Sequence, residues 1–110
     1  MNYAQGPWTD AVVDFSTAGD NVVVAGSSTS ETHILSLSIV AVGGTTLTIG
    51  FGSTPVGKFT LAAGQSINLS GLANQAGAPY FIVPRGVDFI INSSAAVAVT
   101  GTVKWAIAQP

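Results

Sequence analysis

Apolar and polar residues alternate with a period of two through the last third of the chain. Successive side chains of a β-strand point to opposite faces, so this alternation predicts half-buried antiparallel strands. Trp105 has the largest side chain among the alternating residues, and we expect it to fill the centre of the core. Asn92 to Ser94 and Gly101 are expected to separate the three predicted strands. Their apolar positions are Val87, Phe89 and Ile91, then Ala95, Val97 and Val99, and finally Val103, Trp105 and Ile107.

A second region of strong alternation predicts the longest strand of the protein, Glu31 to Val42. Gly43 and Gly44 follow it, and a two-residue glycine turn of this kind commonly closes a β-hairpin. Thr45 to Phe51 is therefore predicted to return as the second strand of a hairpin. The residues predicted to face inward on the first strand are Leu35, Leu37, Ile39 and Ala41.

Shorter apolar segments separated by glycine, proline and polar turns complete the pattern. Together they give about eight short strands, which predicts an all-β fold, an antiparallel β-sandwich or barrel of jelly-roll type. The further predicted strands are Ala11 to Ser16, Val22 to Ala25, Lys58 to Ala62, Ser66 to Leu69 and Tyr80 to Val83.

Residues 1–10 lack periodicity and contain Gly6-Pro7, a loop signal, so we expect an N-terminal arm followed by a single β-domain over 11–110. Tyr3 and Trp8 are large aromatic residues in this arm. They are expected to dock either on their own domain, which is favoured, or on a neighbouring subunit. These two residues are the partner-binding candidates of the sequence.

Charged residues are scarce, at 7% of the chain against about 25% in an ordinary soluble domain. The basic residues are Lys58, Arg85 and Lys104, too few to neutralise a phosphate backbone, so direct nucleic-acid binding is not expected.

No apolar stretch approaches the roughly 20 residues that span a bilayer, and the first ten residues do not resemble a secretory signal. The chain has no cysteine, so no disulfide is expected.

Low charge leaves two interpretations of the surface. In the first, the surface consists of Ser, Thr and Asn side chains that stay in water. In the second, other subunits cover much of it in a permanent assembly. Strand edges are normally protected by Lys, Glu or Pro, and here Ala, Val, Ser, Thr and Gly fill the strands. This scarcity of protective residues favours the assembly.

Residues able to support a reaction are few, so we predict no catalytic residue and no enzyme activity. His33 is the single histidine, and Glu31 stands two positions before it, but a surface pair at the start of a strand is favoured over a catalytic base. Asp10, Asp14 and Asp20 match no known calcium-loop spacing, so ordinary solvated carboxylates are favoured over a metal site. No cofactor is expected.

Four aromatic residues, Tyr3, Trp8, Tyr80 and Trp105, suggest a different possibility, stacking on sugar rings in a carbohydrate-binding domain. Trp105 belongs to an inward-facing set, and Tyr80 opens a strand beside Phe81. Packing in the core is therefore favoured for both residues.

Two stretches of the sequence resemble small β-proteins of tailed bacteriophages, the capsid decoration or cement proteins. They are ILSLSIVAVGGTTLTIGFGS at 34–53 and DFIINSSAAVAVTGTVKW at 88–105, and the resemblance covers roughly residues 30–108. It implies a structural virion protein, made in the host cytoplasm, that binds the major capsid protein on the outer surface of the assembled head. It also implies a homotrimer that braces neighbouring capsid subunits. The N-terminal arm has no clear counterpart in these proteins.

A carbohydrate- or receptor-binding β-domain of a virion fibre or spike is the alternative. It would require an exposed aromatic platform.

Overall fold

The structure is a computed structural model that describes residues 8–70 and 80–107, and in these ranges it contains nine β-strands. The described ranges contain no helix long and apolar enough to cross a membrane. The all-β prediction is confirmed. The strands are β1 (Thr9–Phe15), β2 (Gly19–Val24), β3 (Thr32–Ala41), β4 (Thr45–Phe51), β5 (Thr54–Leu61), β6 (Ser66–Ser70), β7 (Phe81–Val83), β8 (Phe89–Ser93) and β9 (Val99–Ile107).

Two antiparallel sheets pack face to face. The first sheet has the order β1-β9-β3-β6, with β7 pairing to the beginning of β3, and the second has the order β2-β8-β4-β5. The pairs β1–β9, β2–β8, β3–β6 and β4–β5 are nested around the middle of the chain, as in one long hairpin rolled into two sheets. This is the strand order of a jelly roll, so the sandwich prediction is confirmed.

The core lies between the sheets and is made by the inward residues of both. Along β8, Phe89, Ile91 and Ser93 are buried while Ile90 and Asn92 are partly exposed, which is the predicted alternation. Phe89 is the largest fully buried side chain among the described residues. Trp105 packs against the core but is only partly buried, so the prediction that it fills the centre is wrong.

The predicted hairpin of β3 and β4 does not form, although both strands exist. β3 pairs with β6, β7 and β9 in the first sheet, and β4 pairs with β5 and β8 in the second. The connection through Gly43 and Gly44 therefore crosses between sheets. The apolar faces of the two strands meet across the core, where Ile39 and Ile49 are both fully buried. β4 instead forms a hairpin with the strand that follows it, β5.

The boundaries near Gly101 also differ from the prediction. Residues 95–98 are outside the strands, and β9 continues from Val99 to Ile107 through Gly101. Gly101 pairs with Val13 of β1 on one side and with Ile39 of β3 on the other. Because a strand lies on each side, the glycine continues the ladder instead of ending it.

Candidate functional site: the outer faces of the two sheets

The charged residues, all within the described ranges, lie mostly at edges and in loops. The outward faces of the four central strands β3, β4, β8 and β9 carry one Asp, Glu, Lys or Arg side chain, that of Lys104. Of the other seven, four belong to the edge strands β1, β2 and β5, and three precede or connect strands. Those seven are Asp10, Asp14, Asp20 and Lys58, then Glu31, Arg85 and Asp88.

The outer face of the first sheet is formed mainly by hydroxyl and amide side chains, with Val12 and Val40 exposed among them. Ser38 donates a hydrogen bond from its Oγ to Oδ1 of Asn68 at 2.7 Å, which joins β3 to β6. Asp10 and Lys104 approach to 4.0 Å across β1 and β9, and both side chains are about half exposed or more. A shallow depression of about 280 Å³ lies between these pairs. An exposed ion pair of this length contributes little to stability, and the outward side chains of β3 and β9 other than Lys104 are neutral.

The outer face of the second sheet has a row of polar side chains across all four strands. Pairing places Asp20, Asn92, Thr48 and Lys58 at one level of β2, β8, β4 and β5. Asn92 donates from its Nδ2 to Oδ1 of Asp20 at 2.8 Å, which holds the carboxylate against the sheet. The row therefore runs from an acidic edge to a basic edge.

Next to this row is a groove of about 320 Å³, which we call the second-sheet groove. Asp20, Asn92 and Thr48 supply polar groups to it, and Ile90 and Pro55 supply apolar surface. The groove therefore offers hydrogen-bonding groups beside a small apolar patch. Sequence reasoning missed it because its lining comes from four strands whose pairing is not visible in the sequence.

His33 is buried, so its predicted place in a surface pair is wrong. It is fully buried between Ala106 of β9 and Ile82 of β7, with its Nε2 3.6 Å from Oε1 of Glu31. The pairing register shifts between Ile34 and Ser36, so Leu35 is an extra residue in β3. The extra residue exchanges the inward and outward positions on its two sides. Just before it Ile34 is buried, and Leu35 itself is only partly buried. The predicted inward position of Leu35 is therefore also wrong.

The three N-terminal aspartates are not brought together. Asp10 and Asp14 lie on the outer side of β1 in the first sheet, whereas Asp20 lies on β2 in the second. No group of three or more His, Cys, Asp or Glu side chains in the described ranges is arranged to hold a metal ion.

The two partner-binding candidates lie at the N-terminus. Tyr3 is outside the described residues. Trp8 is partly buried and immediately precedes β1, whose first residue, Thr9, pairs with Trp105. Thr9 and Asp10, assigned to the predicted arm, therefore belong to the first strand, which begins two residues earlier than predicted.

Tyr80, for which core packing was predicted, is partly buried and packs against Phe81. Its ring meets that of Phe81 edge-on with centroids 5.4 Å apart. Phe81 in turn lies 5.4 Å from Phe89 and 6.2 Å from Phe51. These contacts connect Tyr80 to the core through Phe81.

Comparisons with known proteins identify no family for this chain. No protein-family model matches the chain, and no curated protein matches it. A solved structure described as a Bacillus endospore appendage, from a family of disulfide-linked pili, is similar with a TM-score of 0.49 and 20% identity. That match covers 96% of this chain and 91% of the other. A likeness at this level carries no information about function.

Proposed function

We propose that this protein is a structural subunit of a virion, a capsid decoration or cement protein that binds the assembled head and holds neighbouring major capsid subunits together. The observation that carries the proposal is the near absence of charge from the outward faces of the central strands, where Lys104 is the one charged residue among those described. The proposed role is structural and involves no reaction.

The physical argument concerns what such a face can do. Depletion of charged residues distinguishes the centre of a protein interface from the rest of a protein surface. Burying a lysine or glutamate without a partner is costly, whereas hydroxyl and amide groups can exchange hydrogen bonds with water for hydrogen bonds with a neighbour. Faces made of groups such as Ser38, Asn68 and Thr102 can therefore be covered at low cost.

Stabilisation of the head would follow from mass action. A protein that binds the assembled shell and not the free subunits lowers the free energy of the shell by an amount that grows with its concentration. A homotrimer is the proposed state, because three copies at a local three-fold position can contact several capsid subunits together. Tyr3 and Trp8 are the proposed partner-binding residues of the arm.

The jelly roll is compatible with this role but does not select it. Jelly rolls occur in viral capsid proteins and also in lectins, so the fold by itself argues only by analogy. The charge distribution, not the fold, therefore supports the choice.

Co-sedimentation with heads of the phage that encodes the protein tests the proposal. Light scattering coupled to size exclusion should give three times the mass of one chain. The protein should sediment with assembled heads and not bind dissociated major capsid protein. Failure to bind heads would refute the capsid role, and a monomer that still binds heads would refute the trimer alone.

Charge variants sharpen that test. Thr102→Glu adds a charge to the outer face of the first sheet, and we expect it to weaken head binding or trimer formation at least tenfold. Ala63→Glu adds the same charge at an exposed position between β5 and β6 and serves as the control. Equal behaviour of the two variants would show that this face is not an interface.

A carbohydrate-binding domain of a virion fibre or spike is the second candidate, and the second-sheet groove favours it. A carboxylate and an amide held 2.8 Å apart, as in Asp20 and Asn92, can bind neighbouring sugar hydroxyls beside the apolar surface of Ile90. A glycan array tests this candidate. A hit that Asp20→Ala abolishes and Asp14→Ala retains would support it, and an array without hits would count against it.

A further inference from the structure

β6 differs from the other edge strands of the sandwich. In the described ranges, β3 is the one strand paired with β6, so the other side of β6 is a sheet edge. Edges of this kind are usually protected by charge, proline, a bulge or short length, because an unprotected edge pairs with other chains. β6 reads Ser-Ile-Asn-Leu-Ser and has neither charge nor proline.

Each of the other described edge strands has such protection. β1 contains two aspartates, β2 contains one aspartate and a bulge, and β5 contains a proline, a lysine and a bulge. β7 is three residues long and is followed by a proline. The register between β3 and β6 is continuous from Ser36–Ser70 to Val40–Ser66, so β6 has no bulge either.

The hydrogen bonds at the start of β6 show which backbone groups face the edge. Ala41 donates its N–H to the carbonyl of Gln65 at 3.1 Å. Hydrogen-bonded and non-hydrogen-bonded pairs alternate along an antiparallel ladder, so the next hydrogen-bonded pair in this register is Ile39–Ile67. The intervening residues Ser66 and Asn68 therefore direct their backbone N–H and C=O away from β3.

The sequence of β6 is also nearly symmetric about Asn68. In an antiparallel pair of two such strands centred on Asn68, Ser66 lies opposite Ser70 of the second copy and Ile67 lies opposite Leu69. Ile67 is buried on the inner side and Asn68 is exposed on the outer side. In the pair, the inner face of one sheet therefore continues into the inner face of the other, and the outer face into the outer face. The central Asn68 pair would exchange both of its backbone hydrogen bonds.

We infer that β6 is a self-association edge, and that its occupant is β6 of a second copy of this chain. Two-fold pairing about Asn68 joins the first sheets of two molecules into one continuous sheet. This contact goes beyond the proposed attachment to a capsid and does not depend on it. Because only five residues a side pair directly, we expect a weak contact in dilute solution that becomes occupied at high local concentration within an assembly.

Cysteine cross-linking tests the register directly, because the natural chain has no cysteine. In the proposed pair the two Cα atoms at position 68 lie about 5.5 Å apart, within the range of roughly 4.4–6.8 Å that a disulfide spans. Asn68→Cys should therefore form a covalent dimer under mild oxidation, detected on a non-reducing denaturing gel.

Two matched variants serve as controls. Ser66→Cys is exposed on the same strand, but its equivalent in the second copy would be roughly 14 Å away, too far for a disulfide. Val12→Cys is exposed in the middle of β1, at the opposite edge of the sheet. We expect Asn68→Cys to cross-link at least ten times faster than either control, and comparable rates for the three would overturn the proposal.

A charge variant provides an independent measurement. Asn68→Lys should reduce concentration-dependent self-association in sedimentation equilibrium at least tenfold, because two lysines would face each other at the two-fold axis. Ala18→Lys places the same charge in the exposed loop between β1 and β2, outside the faces of both sheets, and should leave self-association unchanged. Equal effects of the two substitutions would overturn the proposal, and thermal melts of both variants would establish that they fold.

Discussion

Gly101 of β9 lies so close to Ser38 of β3 that a side chain at the glycine would overlap the backbone carbonyl oxygen of Ser38. The same Cβ would lie 2.7 Å from the Cα of Ile39, and the glycine has a φ of 155°. Close approach of the two central strands of the first sheet therefore requires a residue without a Cβ at this position.

We predict that Gly101→Ala destabilises the protein by about 1–3 kcal/mol, because the added methyl meets backbone that cannot move aside without separating the strands. Chemical denaturation gives the free energy of unfolding. Gly44→Ala is the control, since its Cβ would meet its nearest atom at an ordinary 3.7 Å. Equal costs for the two variants would contradict the close approach.

A buried hydroxyl pair provides a second prediction. Thr45 and Ser93 are both buried, with their hydroxyl oxygens 2.8 Å apart, and Ser93 also donates to the carbonyl of Ala95 at 2.7 Å. Ser93→Ala should lower the free energy of unfolding by about 1–3 kcal/mol, because the buried hydroxyl of Thr45 loses this hydrogen-bond partner. The double variant Ser93→Ala/Thr45→Val should lose less stability than the sum of the losses in the two single variants. A double-mutant cycle by urea unfolding measures the coupling, and strict additivity would show that the pair does not interact.

Asp88 provides a third prediction, because it connects two loops far apart in the sequence. Its Oδ1 accepts a hydrogen bond of 2.7 Å from the backbone N–H of Gly26. Asp88→Ala should destabilise the protein by about 1.5–3 kcal/mol, the range for hydrogen bonds to charged groups. Asp88→Asn retains an acceptor oxygen and should cost less. If both variants melted at the same temperature, the hydrogen bond would contribute nothing.

Phe89 gives a fourth prediction about the core. It is fully buried, and its ring centroid lies 5.4 Å from that of Phe81. Phe89→Ala should cost about 3–5 kcal/mol through lost burial and the cavity left behind. Phe51→Ala should cost less, because Phe51 is only partly buried. Equilibrium unfolding of both variants makes the comparison, and the reverse order would place the centre of the core elsewhere.

The sequence predicted what kind of surface the candidate site is, but not where it lies. Scarcity of charge is a property of composition, so an interface-like surface could be expected before the fold was known. Its location could not, because Asp20 and Asn92 are 72 residues apart and meet only through the pairing of β2 with β8. The unprotected edge at β6 likewise has meaning only once the strand order is known.

The sequence by itself determined where most strands lie and which of their faces are apolar. Alternation is a local property, and burial of Phe89, Ile91 and Ile39 follows from it directly. Only the tertiary structure decided which strands pair. Backbone hydrogen bonds are alike for every pair of strands, so Gly43-Gly44 is equally compatible with a hairpin and with a crossing between sheets. The choice depends on packing the whole core, which places β3 beside β9 in one sheet and leaves β4 facing β3 from the other sheet.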